Sequence, residues 1–161
     1  MVYCLSAERG EINPMAINEL TDKECRDFLS RTSLGRLACA QENQPYVLPI
    51  YFAFDLDYFY VLSTLGQKIE WMRANPKVCV EVDEIKNESE WQSVIVNGLY
   101  QELPEPQFTE ERAHGRKLLE QRHLWWKNAL GERELKSGKE LIAPTFFRIH
   151  SASMTGLRAT A

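Results

Sequence analysis

The apolar positions of this chain change period along its length. Near the start they recur three and four residues apart, at Cys25, Phe28 and Leu29, the spacing of one face of an amphipathic helix. The start of that helix is marked by Thr21-Asp22-Lys23-Glu24, a capping box in which Thr21 bonds forward and Glu24 reaches back, with Leu20 and Cys25 placed to staple across the cap. It is predicted to end near Arg31. The pattern then shortens to strands over 34–40, 45–54, 58–62, 78–82, 91–102 and 144 to about 153. These runs are rich in β-branched and aromatic residues and bounded by turn signals, as in an antiparallel barrel or sandwich. Asn97-Gly98 fits either a hairpin turn or a glycine bulge within one long strand.

Two further helices interrupt the strands. Leu65, Ile69 and Met72 share a face over 65–74, and Pro76 stops the helix by disfavouring helical backbone at Asn75. A longer helix is predicted over 109–130, with Leu119, Trp126 and Leu130 on one side. Residues 1–17 read as an irregular arm and 131–139 as a polar loop. No repeat or low-complexity linker divides the chain, so a single domain mainly of β structure with flanking helices is expected.

Composition narrows the function classes. The chain has 161 residues, 44% of them apolar and 26% charged, enough to bury a core without staples. Nineteen basic against twenty-three acidic residues give a net charge of −4, which offers no broad positive field to nucleic acid or anionic lipid. The longest apolar run, 46–54, is too short to cross a bilayer. The residues behind Met1 lack a signal-peptide pattern, so a soluble cytoplasmic protein is expected. Cys4, Cys25, Cys39 and Cys79 form no C-x-x-C pair, and all four are read as reduced.

The candidate chemistry sits at Ser63-Thr64-Leu65-Gly66-Gln67-Lys68. A strand hands over to a helix there, so backbone amides without intrahelical partners point outward. Ser63 and Thr64 stand as hydroxyls at the cap, Gly66 permits close approach to the backbone, and Lys68 lies in the first turn. That end of a helix is wrong for a cation, but a bound anion such as a phosphate ester reverses the sign. The same residues also suit an ordinary cap with an exposed lysine. Next to this corner, Pro49 interrupts an apolar strand and marks an edge or a bulge. An edge would leave backbone groups of Tyr46, Val47, Leu48 and Ile50 for a flat heterocycle. No metal site is expected: His114 and His123, nine apart, project to opposite sides of one helix, and His150 stands alone. Trp125 and Trp126 suit either an aromatic ligand or a packed contact. The residues name no catalytic acid, base or nucleophile.

The order of Gly35-Arg36-Leu37-Ala38, Pro45-Tyr46-Val47-Leu48-Pro49-Ile50-Tyr51, an aromatic strand, Gly66-Gln67-Lys68 and Asn75-Pro76-Lys77-Val78-Cys79-Val80 resembles the pyridoxamine-phosphate-oxidase-like flavin-binding proteins. It is most similar to the branch containing the nitroimidazole-resistance reductases. The resemblance implies an antiparallel split β-barrel that forms a homodimer with FMN at the subunit interface. It implies that Tyr46, Val47, Leu48, Pro49, Ile50 and Tyr51 border the flavin ring, that Leu62, Ser63 and Thr64 flank its ribityl chain, and that Lys68, with Gln67, meets the phosphate. Gln92 and Ser93 match a further cofactor-facing strand position. The oxidases' C-terminal arginine and histidine motif is not reproduced by Phe147-Arg148-Ile149-His150, and the histidine common in the nitroimidazole branch near Val61 or Leu62 is absent. The resemblance therefore points to an FMN-dependent oxidoreductase of unidentified substrate. The alternative is a flavin-carrying sensor without turnover, or a relative using deazaflavin or haem.

Overall fold

The computed structural model describes residues 15–122 and 144–160. His123, Trp125, Trp126, Leu130, Cys4, the predicted loop 131–139 and most of the predicted arm lie outside them. In chain order the elements are β1 (Ala16–Glu19), α1 (Asp22–Arg31), β2 (Leu34–Gln41), β3 (Gln44–Tyr51), β4 (Ala53–Asp55), β5 (Tyr58–Ser63), α2 (Gln67–Ala74), β6 (Lys77–Asn87), β7 (Glu90–Glu102), α3 (Thr109–Glu120) and β8 (Thr145–Thr160).

The strands form one antiparallel sheet in the order β3-β2-β6-β7-β8-β5-β4, with β1 added beside β8. Its end strands do not pair with each other. The sheet curls until β3 comes within 8 Å of β5 without closing, which is the split barrel. Phe52, Phe59, Phe147, Leu37, Val80, Val82, Val94 and Val96 fill the interior, and their burial is the main stabilising term. Two helices close opposite ends of the strands. α1 seats Cys25, Phe28 and Leu29 in the core, and α2 seats Ile69 and Met72. α3 covers a smaller cluster of Ala53, Tyr60, Leu103, Leu119 and Phe146.

The capping box of α1 is present in both directions. Elsewhere the structure redraws boundaries. The predicted strand 45–54 breaks at Phe52, which is fully buried and donates its N–H to Ser33 O at 2.9 Å, so β3 and β4 belong to opposite ends of the sheet. Residues 16 and 17, predicted as the end of an irregular arm, open β1 instead. The predicted strands 78–82 and 91–102 lengthen toward each other, because β6 and β7 pair out to Asn87 and Glu90.

Asn97-Gly98 is a bulge site within β7: Asn97 faces Ser153 but Gly98 faces Ser151, which leaves Ala152 as the extra residue on β8. A Cβ on Gly98 would lie 2.7 Å from His150 O, closer than real contacts allow, so only glycine lets the two backbones meet there.

Candidate functional site

The β2–β3 connection determines what β3 can offer a ligand. Glu42 and Asn43 both have positive φ, 49° and 64°, as in the two-residue turns that match strand twist. Gln41 therefore faces Gln44 as a hydrogen-bonded pair, and bonded and non-bonded pairs alternate from there along the register. The Phe52 N–H bond to Ser33 keeps this phase at the far end. Tyr46, Leu48 and Ile50 thus spend their backbone groups on β2, which corrects the expectation that an edge leaves those residues available. Pro45, Val47, Pro49 and Tyr51 turn away from β2. Both prolines fall where an N–H would point off the sheet, so neither removes a ladder bond. Pro49 marks an edge, and the β2–β3 register runs through it without a bulge.

The side chains of β3 alternate as well. Tyr46, Leu48 and Ile50 lean on the core, while Val47 is 59% exposed and Tyr51 38%. Tyr46 meets Trp71 of α2 edge-on, with ring centroids 5.6 Å apart. This contact joins the two stretches that the sequence singled out separately.

At the other stretch, Ser63 ends β5 opposite Thr145, and Leu62 pairs with Phe146. The sequence put the Ser63 and Thr64 hydroxyls at the helix cap and started the helix at Leu65. The structure moves the N-cap to Gly66, with no side-chain cap. Ser63 Oγ donates instead to Thr64 O at 3.3 Å, and Lys68 Nζ to the same carbonyl at 3.5 Å. The Ile69 and Glu70 amides bond back to Gly66 O at 2.9 and 3.3 Å, leaving the Gln67 and Lys68 amides to open the helix. A Cβ built on Gly66 meets nothing within 4 Å, so open space adjoins this backbone. Two hydroxyls, first-turn amides and an ammonium group beside open space suit an anion.

Lys68 also acts inward. Burial pushes the Cys39 thiol up from its ordinary pKa, and the Lys68 charge pulls it partly back. Cys39 pairs with Tyr46, and Tyr46 meets Trp71 of α2, so the helix that carries Lys68 packs beside β3. Sequence reasoning did not single out Trp71 or Cys39 for this corner; only the fold brings them to Tyr46.

Gln92 and Ser93 lie elsewhere in the chain. Ser93 pairs with Asp83 and Leu157, and Gln92 Nε2 donates to Glu84 Oε2 at 2.7 Å. One chain does not bring them to Lys68. Ser93 shares the outer side of the sheet with Ile95 and Leu99, which are 44% and 46% exposed. On this side Ala38, Pro45, Cys79, Leu99 and Ala152 line an apolar hollow of about 590 Å³.

The remaining candidates have local partners. His114 Nε2 is 2.9 Å from Asp55 Oδ2, and His150 stacks on Tyr58 at 4.8 Å. Among the described residues Cys25, Cys39 and Cys79 are free thiols, and no helix is long and apolar enough to cross a membrane.

Comparison with known proteins agrees with this architecture. The profile of the family described as pyridoxamine 5'-phosphate oxidase matches residues 21–158. An uncharacterized protein of Rhizobium meliloti (strain 1021) is 37% identical over 148 residues, 91% of this chain and 98% of that protein. A crystal structure of a FAD-binding protein from Mesorhizobium loti superposes with a TM-score of 0.75 at 37% identity, covering 92% of this chain and 100% of that one. A FAD-binding protein from Mycobacterium smegmatis superposes with a TM-score of 0.59 at 21% identity, covering 88% and 96%.

Proposed function

The chain belongs to the pyridoxamine 5'-phosphate oxidase family, and from that premise we propose that it binds a flavin, FMN, and acts as an FMN-dependent oxidoreductase. The observation that carries the reading is the juxtaposition of an uncapped α2 N-terminus with β3, an edge strand whose backbone turns partly away from the sheet. Ser63, Thr64 and Lys68 would hold the phosphate, Leu62 would flank the ribityl chain, and Pro45, Val47, Pro49 and Tyr51 would border the ring. Gln67, exposed in the first turn, would reach the same corner. A bound flavin supplies the hydride or electron transfer; the protein supplies orientation, charge and exclusion of water.

A second copy of the chain completes the site in this proposal. The apolar hollow and the exposed Val47, Ile95 and Leu99 give it a surface to cover. Ser93 faces that same side, so it would approach the partner's cofactor rather than its own. A reducing, cytoplasmic setting accords with the free thiols.

The FAD named for the Mesorhizobium loti relative favours a second reading, in which the same corner holds the first phosphate of a longer flavin. Mass identification of the ligand released from purified protein separates FMN, FAD, deazaflavin and haem. A yellow protein releasing FMN, reduced anaerobically by a nicotinamide cofactor and reoxidised by an added acceptor, is the expected result. Reduction with no acceptor turned over would make it a flavin-carrying sensor. Colourless protein that takes up no added FMN would overturn the proposal.

A further inference from the structure

The two ends of α2 are held very differently. The helix has eight residues, about 12 Å of length, too short to keep its own geometry without tertiary anchors. Ile69 and Met72, both fully buried, pin its middle. At the C-terminal end Arg73 forms a two-bond fork on Glu102 of β7, with Nε on Oε1 and Nη2 on Oε2 at 3.2 Å. The Tyr100 hydroxyl donates to the same carboxylate at 2.7 Å, and the Tyr100 N–H bonds to Pro76 O at 2.8 Å. Asn75 Nδ2 donates to Ala40 O at 2.9 Å and Asn75 Oδ1 accepts from the Lys77 N–H, tying the end of the helix to β2. Around a pivot at Ile69 and Met72, any tilt of this end swings Gly66, Gln67 and Lys68 the opposite way.

We propose that Arg73, Glu102, Tyr100 and Asn75 are positioning residues that aim the N-terminus of α2, and with it Lys68, at the phosphate of the bound flavin. The inference rests on the flavin reading above. Its mechanism is geometric: none of the four residues lies at the phosphate corner, and each acts through the orientation of the helix. Burial, then the Glu102 carboxylate, pushes the Tyr100 hydroxyl up, so it remains a donor to the fork and the network stays intact across the physiological range.

The test is the ratio of riboflavin to FMN dissociation constants, measured by fluorescence titration, because riboflavin carries the ring without the phosphate. Lys68→Ala should lower that ratio about ten- to a hundredfold by removing a charged partner. Glu102→Gln should lower it about three- to tenfold, the size of a coupling carried through packed elements, with riboflavin affinity and the urea midpoint of the apoprotein nearly unchanged. Tyr100→Phe, which keeps the ring and removes one bond, should lower it about twofold and serves if Glu102→Gln fails to fold. Equal weakening of both ligands, or an unchanged ratio, in the network variants overturns the inference while a lowered ratio in Lys68→Ala keeps the flavin reading. A wild-type protein that does not prefer FMN to riboflavin overturns both.

Discussion

β7 and β3 are both strands that carry apolar side chains along their middle, yet the fold uses them in opposite ways. β7 lies inside the sheet with a strand on either side, and its Val94 and Val96 are fully buried. β3 lies at the edge, pairs with β2 alone, and leaves Val47 59% exposed. A central strand converts apolar side chains into stability. An edge strand keeps part of its surface for recognition, and here its two prolines also deny a stray strand the N–H groups it would need to add on. Apolar content alone does not separate these uses; position in the sheet does.

The contrast is broken most directly by one substitution made at two places. Val96→Ser should destabilise the protein by about 3–5 kcal/mol, since it empties core volume and buries a hydroxyl, and urea denaturation would show it. Next in size, Lys68→Ala should weaken FMN binding by about 1.5–3 kcal/mol with little change in the stability of the apoprotein. Titration of the purified protein separates the two effects. If Lys68→Ala instead lowered stability as much as binding, the corner would belong with the core and the contrast would fail.

A smaller effect is expected at Glu102. The Arg73 hydrogen bonds hold its carboxyl below the ordinary value of 4.5, against burial and with help from Tyr100. The contribution should be complete above about pH 4.5 and fade as pH falls through the lower folded-state value. With Arg73 half exposed it amounts to less than about 1 kcal/mol. Comparing the pH dependence of the urea midpoint in wild type and Glu102→Gln isolates it: the variant should lose less stability below pH 4.5. Smallest of all, Val47→Ser should shift stability by under about 0.5 kcal/mol, and a loss as large as that of Val96→Ser would erase the distinction between edge and centre.

Much of the architecture was legible because it is written locally. The capping box at Thr21 and Glu24 names the start of α1 from four consecutive residues. The stop at Asn75-Pro76 follows from what proline cannot do, and so does the choice between edge and bulge at Pro49, which the sheet order then settles. The features that escaped depend on distant partners. Nothing around Phe52 announces that the strand must break there; the break follows from its burial against residues far along the chain and its bond to Ser33. β1 exists because β8 runs on to Thr160 and offers it a partner. Within the site, the positions of Ser63, Gly66 and Lys68 were visible, but the identity of the cap was not, since a serine next to a helix can follow the strand as readily as the helix. The backbone phase of β3 depends on whether the turn at Glu42-Asn43 has two residues or four. The network at Arg73, Glu102 and Tyr100 joins residues about thirty positions apart and leaves no local trace.

The extra residue at Ala152 acts like a reading-frame shift in three dimensions. Before it, Phe147 and Ile149 fill the interior at odd numbers; after it, Met154 and Gly156 take over at even ones. Gly156 is where α1 comes to rest: its carbonyl accepts the Leu20 N–H, and a Cβ on it would lie 2.8 Å from Cys25 Sγ. Deleting this single small, exposed alanine would join Ser151 to Ser153 in an unbroken ladder and leave Met154 and Gly156 opposite Val96 and Val94, so the bulge is a place where β8 takes up a residue of length without moving the seat of α1.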